Sequence, residues 1–169
     1  MPERRIYLVR HAIAEDRSAS DRDADRALTR EGRKKMKRAA RGLAALEIGE
    51  PTVLTSPLVR ARETADLLVE ALPGATLEVC DLLAPGVDAN ALAAFLERHP
   101  SAGAVMLVGH EPDMGELVAR WLTGARSGFA TRFRKGAVAC LIAGMLPPQG
   151  RATLEWFMTA DQLGAIGTS

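Results

Sequence analysis

The sequence predicts an α/β fold, a three-layer α/β/α sandwich with helices on both faces of a mainly parallel central sheet. Short apolar runs alternate with longer amphipathic segments along the chain of 169 residues, a pattern typical of successive strand–helix units. The run 104–108 is apolar throughout, which indicates a strand that is covered on both faces. Near the end of the chain, two apolar runs flank a proline-rich turn and predict an antiparallel C-terminal hairpin.

The first third of the chain contains two predicted strands. One covers 6–9, where the residues are β-branched, aromatic and apolar, and the other covers 52–55. Residues 15–28 are charged and lack apolar periodicity, so we expect a loop there. Thr29 is a candidate cap for the first helix. Ser56-Pro57 predicts the start of the second helix, with the hydroxyl as cap and the proline at the first helical position.

The middle of the chain predicts a peripheral strand, a helix and a central strand. Residues 76–80 alternate only weakly between apolar and polar, which favours a strand at the periphery of the sheet. Asp88 is a candidate cap for a helix that ends at His99-Pro100. The strand 104–108 follows, and the turn 109–112 leads into the next helix.

The C-terminal part predicts the hairpin and a final helix. Its strands cover 137–142 and 152–157, and the turn between them lies at 147–150. A short helix over 159–165 ends the chain. Because no internal repeat or low-complexity linker interrupts the pattern, we expect one domain over 1–169.

The composition excludes several classes of protein. Hydrophobic residues make up 47% and charged residues 25% of the chain, as in ordinary soluble domains. The net charge is +1 and the aromatic content is 4%, so we expect neither a nucleic-acid partner nor a membrane partner. Cys80 and Cys140 lie in apolar surroundings, which predicts buried, reduced thiols in a cytoplasmic protein. No stretch approaches the ~18 apolar residues that span a bilayer.

Charged side chains follow three of the predicted strands. The first strand ends in Arg10-His11, and the strand 104–108 ends in Gly109-His110. Arg60 lies in the first turn of the predicted helix after the second strand. The carboxyl ends of parallel strands share one edge of a sheet, where ligands bind in such folds. Guanidinium groups beside a helix N-terminus favour a phosphoryl group, so we predict an anion site.

Each of these residues also has a purely structural interpretation. A histidine after a strand is often structural, and Arg60 alone could be a solvated helix residue, as Arg62 is expected to be. His99 precedes a proline at a helix end, which favours a cap on a backbone carbonyl. The seven basic residues within 30–41 are interpreted as a solvated helix face, with docking of an acidic protein as the alternative.

At these positions the sequence resembles the histidine phosphatase superfamily, whose fold is phosphoglycerate mutase-like. Its length and Ser-Pro-Leu-x-Arg-Ala form look most like the small SixA-type phosphohistidine phosphatases of bacteria. The matching segments occur in order along most of the chain: Leu8-Val9-Arg10-His11, Leu28-Thr29-Arg30-Glu31-Gly32, Thr55-Ser56-Pro57-Leu58-Val59-Arg60-Ala61-Arg62-Glu63-Thr64-Ala65 and Val108-Gly109-His110-Glu111-Pro112.

The resemblance implies a phosphatase that works through a covalent phosphohistidine. His11 would be the nucleophile, Arg10 and Arg60 would hold the phosphoryl oxygens, and His110 would stabilise the developing charge. The resemblance implies no metal and no organic cofactor. The partner would be a phosphorylated protein or a small phosphate substrate, and we expect a monomer or weak dimer.

Two departures from the family pattern qualify this assignment. Ala12 stands where the family usually has glycine. The segment 82–86 lacks the carboxylate that mutases and many phosphomonoesterases use as proton donor. Hydrolysis of an ester benefits from a general acid by roughly 10²–10⁴-fold. A phosphorylated imidazole that carries a proton on its other nitrogen leaves as a neutral molecule, so this departure favours phosphohistidine as substrate.

Three alternatives remain open from the sequence. The first is a small-molecule phosphomonoesterase that takes its acid from elsewhere in the chain: Asp16, Asp81, Asp88 or Glu111. The second is a phosphate- or phosphoprotein-binding module without turnover. The third, a metal site at His11 and His110, is disfavoured because the neighbouring arginines would repel a cation.

Overall fold

A computed structural model describes residues 3–99, 103–148 and 150–168. The strands are β1 (Arg4–Arg10), β2 (Thr52–Thr55), β3 (Thr76–Val79), β4 (Ala104–Gly109), β5 (Val138–Ala143) and β6 (Thr153–Met158). The α-helices are α1 (Arg30–Ala45), α2 (Val59–Ala71), α3 (Ala89–Arg98), α4 (Asp113–Thr123) and α5 (Ala160–Ile166). Two short 3-10 turns cover Asp23–Asp25 and Asp81–Leu83. Pro100 at the predicted helix end and Gln149 in the predicted hairpin turn lie outside the described residues.

The six strands form one mixed sheet in the order β3-β2-β4-β1-β5-β6. The pairs β1–β4, β2–β4 and β2–β3 are parallel. Strand β5 runs antiparallel to β1 and pairs with β6 as an antiparallel hairpin. Strand β3 lies at one edge of the sheet with exposed residues, as its weak pattern predicted. The predicted sheet architecture is therefore confirmed.

Alternate residues of β1 enter two separate apolar clusters. Tyr7 and Val9 pack with residues of α1, α2 and α5 on one face of the sheet. Ile6 and Leu8 pack with residues of α3 and α4 on the other face. Because side chains along a strand point to opposite faces, β1 is buried from both sides, and the three-layer arrangement follows.

Three helix starts are capped by side chains at the predicted positions or next to them. The Gly32 amide donates to Thr29 Oγ1 at 2.8 Å. Asp88 Oδ1 accepts from the amides of Asn90 and Ala91 at 2.9 and 3.1 Å. Thr159 caps α5 in a reciprocal capping box.

The predicted start of the second helix was wrong. Helix α2 begins at Val59, its preceding residue Leu58 makes no side-chain cap, and Ser56-Pro57 lies outside the helix. The Ser56 hydroxyl instead lies 2.7 Å from His110 Nε2. Its oxygen also accepts the Leu58 amide at 3.3 Å, so the hydroxyl holds the turn at Pro57 and Leu58, and the helix begins only after that turn.

Other features of the described chain agree with the sequence. Cys80 and Cys140 are both buried and free. The loop 15–28 has only one short 3-10 turn, and an isolated bridge between Ala14 and Leu28 closes its base. Within the described residues, no helix is both long enough and apolar enough to cross a membrane.

Helices α1 and α5 pack closely against each other at Gly42. A Cβ atom on Gly42 would overlap the backbone carbonyl of Leu163, which cannot move as a flexible side chain can. We expect Gly42→Ala to destabilise the protein by about 1–3 kcal/mol, although alanine favours helix, because α5 must shift away. Urea unfolding measures the difference. Gly144→Ala is the matched control, since a Cβ there meets nothing within 4 Å. Equal stability of the two variants would contradict this packing.

Candidate active site

The site lies where three parallel strands end at one edge of the sheet. Arg10 is in register with Gly109 across β1 and β4, and Thr55 is in register with Val108 across β2 and β4. The His11 amide donates to the Gly109 carbonyl at 2.9 Å, which extends the pairing one residue beyond β1. The rings of His11 and His110 consequently lie 5.2 Å apart between centroids.

His11 is 6% exposed, and its ring orientation is set by its own neighbour. Its Nδ1 lies 2.7 Å from the carbonyl oxygen of Ala12. A carbonyl can only accept a hydrogen bond, so Nδ1 must carry the proton in the neutral ring. Nε2 then keeps its lone pair and is the ring atom that can attack phosphorus.

Arg10 and Arg60 are both held by backbone carbonyls. Arg10 Nη1 donates to the carbonyl of Phe133 at 2.9 Å. Arg60, only 5% exposed, donates through Nη1 to the Asp23 carbonyl at 3.0 Å and through Nη2 to Asp23 Oδ2 at 3.1 Å. Each guanidinium is thereby fixed through its terminal nitrogens.

His110 is 3% exposed and is held by Ser56. Ser56 Oγ lies 2.7 Å from His110 Nε2 and accepts the Leu58 amide at 3.3 Å. A hydroxyl can donate one hydrogen bond and accept two, so this contact is compatible with either tautomer of His110. In the tautomer in which Ser56 donates to Nε2, the ring proton lies on Nδ1, and Nδ1 is then a hydrogen-bond donor.

Three buried nitrogen atoms at these residues lack a hydrogen-bond partner within the described chain. They are Arg10 Nε, Arg60 Nε and His110 Nδ1. Buried polar atoms nearly always have a hydrogen-bond partner, so three unpartnered nitrogens at the site of His11 point to a ligand. Because arginine nitrogens only donate, that ligand must supply acceptors, as the oxygens of a phosphoryl group do.

Both site histidines are neutral near pH 7. The pKa of His11 is lowered to about 3, chiefly by burial; the hydrogen bond to Ala12 opposes this shift, and the charges of Arg60 and Arg10, with that of His110 when it is protonated, add to it. Burial lowers the pKa of His110 to about 4, with Arg60 as the next cause. A neutral His11 is the form that can act as a nucleophile.

The four residues expected from the sequence are thus brought together, and three further ones join them. Asp23 binds Arg60 from within the loop 15–28, where the sequence offered no signal. Ser56 was identified, but for the wrong role. Thr64 is fully buried, and its Oγ1 accepts the Ala12 amide at 3.0 Å. The family segment contains Thr64, yet nothing in its spacing indicates a contact with Ala12.

Ala12 fits its position in the structure. It is 3% exposed within the apolar cluster that includes α1 and α2. Its φ is not among the positive values of the described residues, so the backbone does not require glycine here.

The four candidate carboxylates differ in their surroundings. Asp16, Asp81 and Asp88 are exposed, and Asp88 is also engaged as the α3 cap. Glu111 is partly buried, and its Oε1 accepts the Gly115 amide at 2.7 Å. Burial raises the pKa of Glu111, while the Gly115 bond and the charge of Arg10 oppose the rise.

The remaining singled-out residues lie away from this site. His99 Nε2 bonds Glu78 Oε2 at 3.0 Å, so the predicted carbonyl cap was wrong. Glu78 on the edge strand β3 comes within reach of the end of α3, and its carboxylate is a stronger acceptor than a carbonyl. Arg62 is exposed, as expected.

The basic residues within 30–41 lie on α1. Arg33 pairs with Glu63, and Lys35 Nζ lies 3.0 Å from Asp161 Oδ2. The others are exposed: Arg30, Lys34, Lys37, Arg38 and Arg41. Their positions agree with a solvated face, and docking of an acidic partner on them stays a prediction.

The depressed histidine pKa values predict how stability depends on pH. In the unfolded chain a histidine binds a proton near pH 6.5, whereas folded His11 does so only near pH 3 and His110 near pH 4. Protonation therefore stabilises the unfolded state as the pH falls below about 6.5. We expect each histidine to reduce the free energy of unfolding by about 1–2 kcal/mol between pH 7 and pH 5.

Urea unfolding of the wild type and of His11→Gln at pH 7 and pH 5 measures how much of the loss in the free energy of unfolding comes from His11. The variant should lose less stability than the wild type on acidification, because glutamine does not titrate. Parallel losses in the two proteins would show that His11 is not buried as a neutral ring.

A family model and two related proteins match this chain. The family model of the histidine phosphatase superfamily (branch 1) matches residues 6–84. An uncharacterized protein of Picosynechococcus sp. is 36% identical over 155 residues, covering 90% of this chain and 93% of that protein. Phosphohistidine phosphatase SixA of Escherichia coli is 28% identical over 161 residues, covering 94% and 95%.

Solved structures show the same relationship. The protein histidine phosphatase SixA complexed with tungstate aligns with a TM-score of 0.79 and 27% identity, over 94% of this chain and 99% of that one. Phosphoglycerate mutase from Plasmodium falciparum aligns with a TM-score of 0.63 over 93% and 91%; at 19% identity it shows the fold alone. The chain therefore belongs to the histidine phosphatase superfamily and is a phosphatase.

Proposed function

We propose that this phosphatase acts through a covalent phosphohistidine at His11 and removes phosphate from phosphohistidine in proteins. The observation that carries the proposal is the set of three buried nitrogens without a partner in the described chain, Arg10 Nε, Arg60 Nε and His110 Nδ1, at the site of His11. We assign the ring proton of His110 to Nδ1, so that all three nitrogens present an N–H to the phosphoryl oxygens, while Nε2 of His11 carries no proton. Fixed donors of this kind stabilise the charge of a transferring phosphoryl group.

In the first step, His11 Nε2 attacks phosphorus in line as the bond to the leaving group breaks. The electron pair of that bond stays with the leaving nitrogen. A substrate phosphohistidine that carries a proton on its other nitrogen then departs as a neutral imidazole. His11 keeps its proton on Nδ1, donated to the Ala12 carbonyl, and becomes a phosphorylated imidazole of the same protonation state.

In the second step, water attacks the phosphorus and the bond to His11 Nε2 breaks. The proton on Nδ1 again lets the imidazole leave as a neutral molecule. Inorganic phosphate departs, with the protons of the attacking water retained by the phosphate or released to solvent. No carboxylate is needed in either step, which fits the absence of one in the segment 82–86.

Glu111 favours one alternative, a small-molecule phosphomonoesterase. It follows His110 directly, and burial raises the pKa of its carboxyl group. A protonated carboxyl could supply the proton that an alkoxide leaving group requires. Against this, Oε1 of Glu111 already accepts the Gly115 amide.

The location of the protein and the access of its substrate are part of the same proposal. Free, buried thiols at Cys80 and Cys140 fit a reducing compartment, and we place the protein in the cytoplasm. A protein substrate would need access to the edge of the sheet where β1, β2 and β4 end.

His11→Ala should abolish the phosphoenzyme and reduce turnover by at least ~10³-fold, because the covalent route is removed. The measurement combines trapping of acid-labile phosphate on the protein with steady-state rates. His99→Ala is the matched control, since His99 contacts Glu78 outside the site. Normal turnover by His11→Ala would disprove the mechanism. Tight binding of phosphoprotein without any trapped phosphoenzyme in the wild type would instead indicate a binding module.

Glu111→Gln separates the two substrate classes. For phosphohistidine hydrolysis we expect a kcat close to that of the wild type, because the leaving imidazole needs no acid. Rates on a phosphohistidine protein and on an alkyl phosphate are compared for both proteins. A wild type that prefers the alkyl phosphate, together with a loss of about 10²-fold or more in Glu111→Gln, would favour the phosphomonoesterase.

A further inference from the structure

Thr64 links the segment after His11 to the helix that carries Arg60. Its Oγ1 accepts the Ala12 amide at 3.0 Å and donates to the Arg60 carbonyl at 2.7 Å. Thr64 is fully buried, and Ala12 and Arg60 are also buried. The hydroxyl therefore joins the segment that follows β1 to α2 inside the protein.

The direction of both hydrogen bonds follows from chemistry. The Ala12 amide can only donate, and the Arg60 carbonyl can only accept. The hydroxyl proton of Thr64 must therefore point to Arg60, which leaves an oxygen lone pair for Ala12. The same carbonyl is four residues back on α2, the usual acceptor for a threonine hydroxyl within a helix.

Ala12 connects this hydroxyl to the nucleophile. Its amide belongs to the peptide that joins it to His11, and that amide is held by Thr64. Its carbonyl accepts the proton of His11 Nδ1 at 2.7 Å. Both backbone polar groups of Ala12 are thus committed, one to Thr64 and the other to the imidazole.

We infer that Thr64 is a positioning residue that keeps the Ala12 carbonyl opposite His11 Nδ1 and so selects the tautomer with Nε2 free for attack. Without the hydroxyl, the Ala12 amide would be buried without an acceptor, and the segment would turn to find one. The Ala12 carbonyl would move with it. His11 would then populate the other tautomer, in which Nε2 carries a proton and cannot attack.

The effect of Thr64 should fall on kcat rather than on KM. The backbone carbonyl of Phe133 holds the side chain of Arg10. The carbonyl and carboxylate of Asp23 hold that of Arg60, and the Ser56 hydroxyl contacts that of His110. None of these contacts involves the Thr64 side chain. The anion site is therefore retained when the hydroxyl is removed. The tautomer of His11 that can attack is not.

Three variants of Thr64 test the inference. Thr64→Val replaces the hydroxyl by a methyl group of similar size, and Thr64→Ala removes it without any risk of a clash. Thr64→Ser keeps the hydroxyl and serves as the matched control. We expect Val and Ala to lower kcat by about 10- to 100-fold at nearly constant KM, and Ser to remain close to the wild type. Thermal unfolding of each variant establishes that rates are measured on folded protein.

Ring nitrogen NMR supplies a readout that a purely structural role would not change. The chain has three histidines, so His11 can be assigned by comparison with His11→Gln. The wild type and Thr64→Ser should show a proton on Nδ1 of His11. Thr64→Val, or Thr64→Ala if the valine variant does not fold, should show the tautomer with the proton on Nε2 as the major form. An unchanged Nδ1 tautomer with unchanged kcat in the folded variant would overturn the inference, and so would an equal kcat loss in Thr64→Ser.

This inference rests on the proposed role of His11 as nucleophile, but the two can fail separately. The tautomer is measured without substrate and does not depend on turnover. Normal turnover by His11→Ala would remove the proposed function and leave the tautomer result standing. Loss of the phosphoenzyme in His11→Ala with an unaffected tautomer in Thr64→Val would remove only the role of Thr64.

Discussion

The parallel pairing of β1 with β4 is the constraint on which the rest of this site depends. Arg10 lies opposite Gly109, and a histidine directly follows each of these two residues. The register of the two strands therefore brings His11 and His110 to the same level. The hydrogen bond from the His11 amide to the Gly109 carbonyl continues that register into the site. A slip of one residue would turn every side chain of β1 to the other face and separate the two rings. The apolar clusters on both faces of the sheet oppose such a slip.

Burial then decides the chemical character of the groups that the register brings together. Two imidazoles beside two guanidiniums stay neutral because desolvation and positive neighbours both disfavour their charged forms. The arginines keep their charge and are anchored through terminal nitrogens, which leaves Nε of each without a partner in the described chain. The site combines a neutral imidazole with charged donors, the arrangement that the proposed phosphoryl transfer needs.

Much of the fold was predictable because its signals are local. Apolar runs and capping residues such as Thr29 and Asp88 depend on neighbours within a few residues, and the structure confirms these caps. The start of α2 was not predictable in the same way. Ser56 has the residue type of a helix cap, but its hydroxyl lies against His110, which is distant in sequence. A tertiary hydrogen bond overrode a local preference.

The α/β class and the order of the strands along the chain were predictable from the residue pattern alone. So were the candidates Arg10, His11, Arg60 and His110, since each follows a strand or opens a helix. Which atoms of these residues have a partner depends on the folded chain. Ala12 takes the His11 Nδ1 proton, and Asp23 takes the terminal nitrogens of Arg60. Hydrogen bonds form between groups that are close in space, and neither the residue type nor the spacing along the chain shows which groups these are.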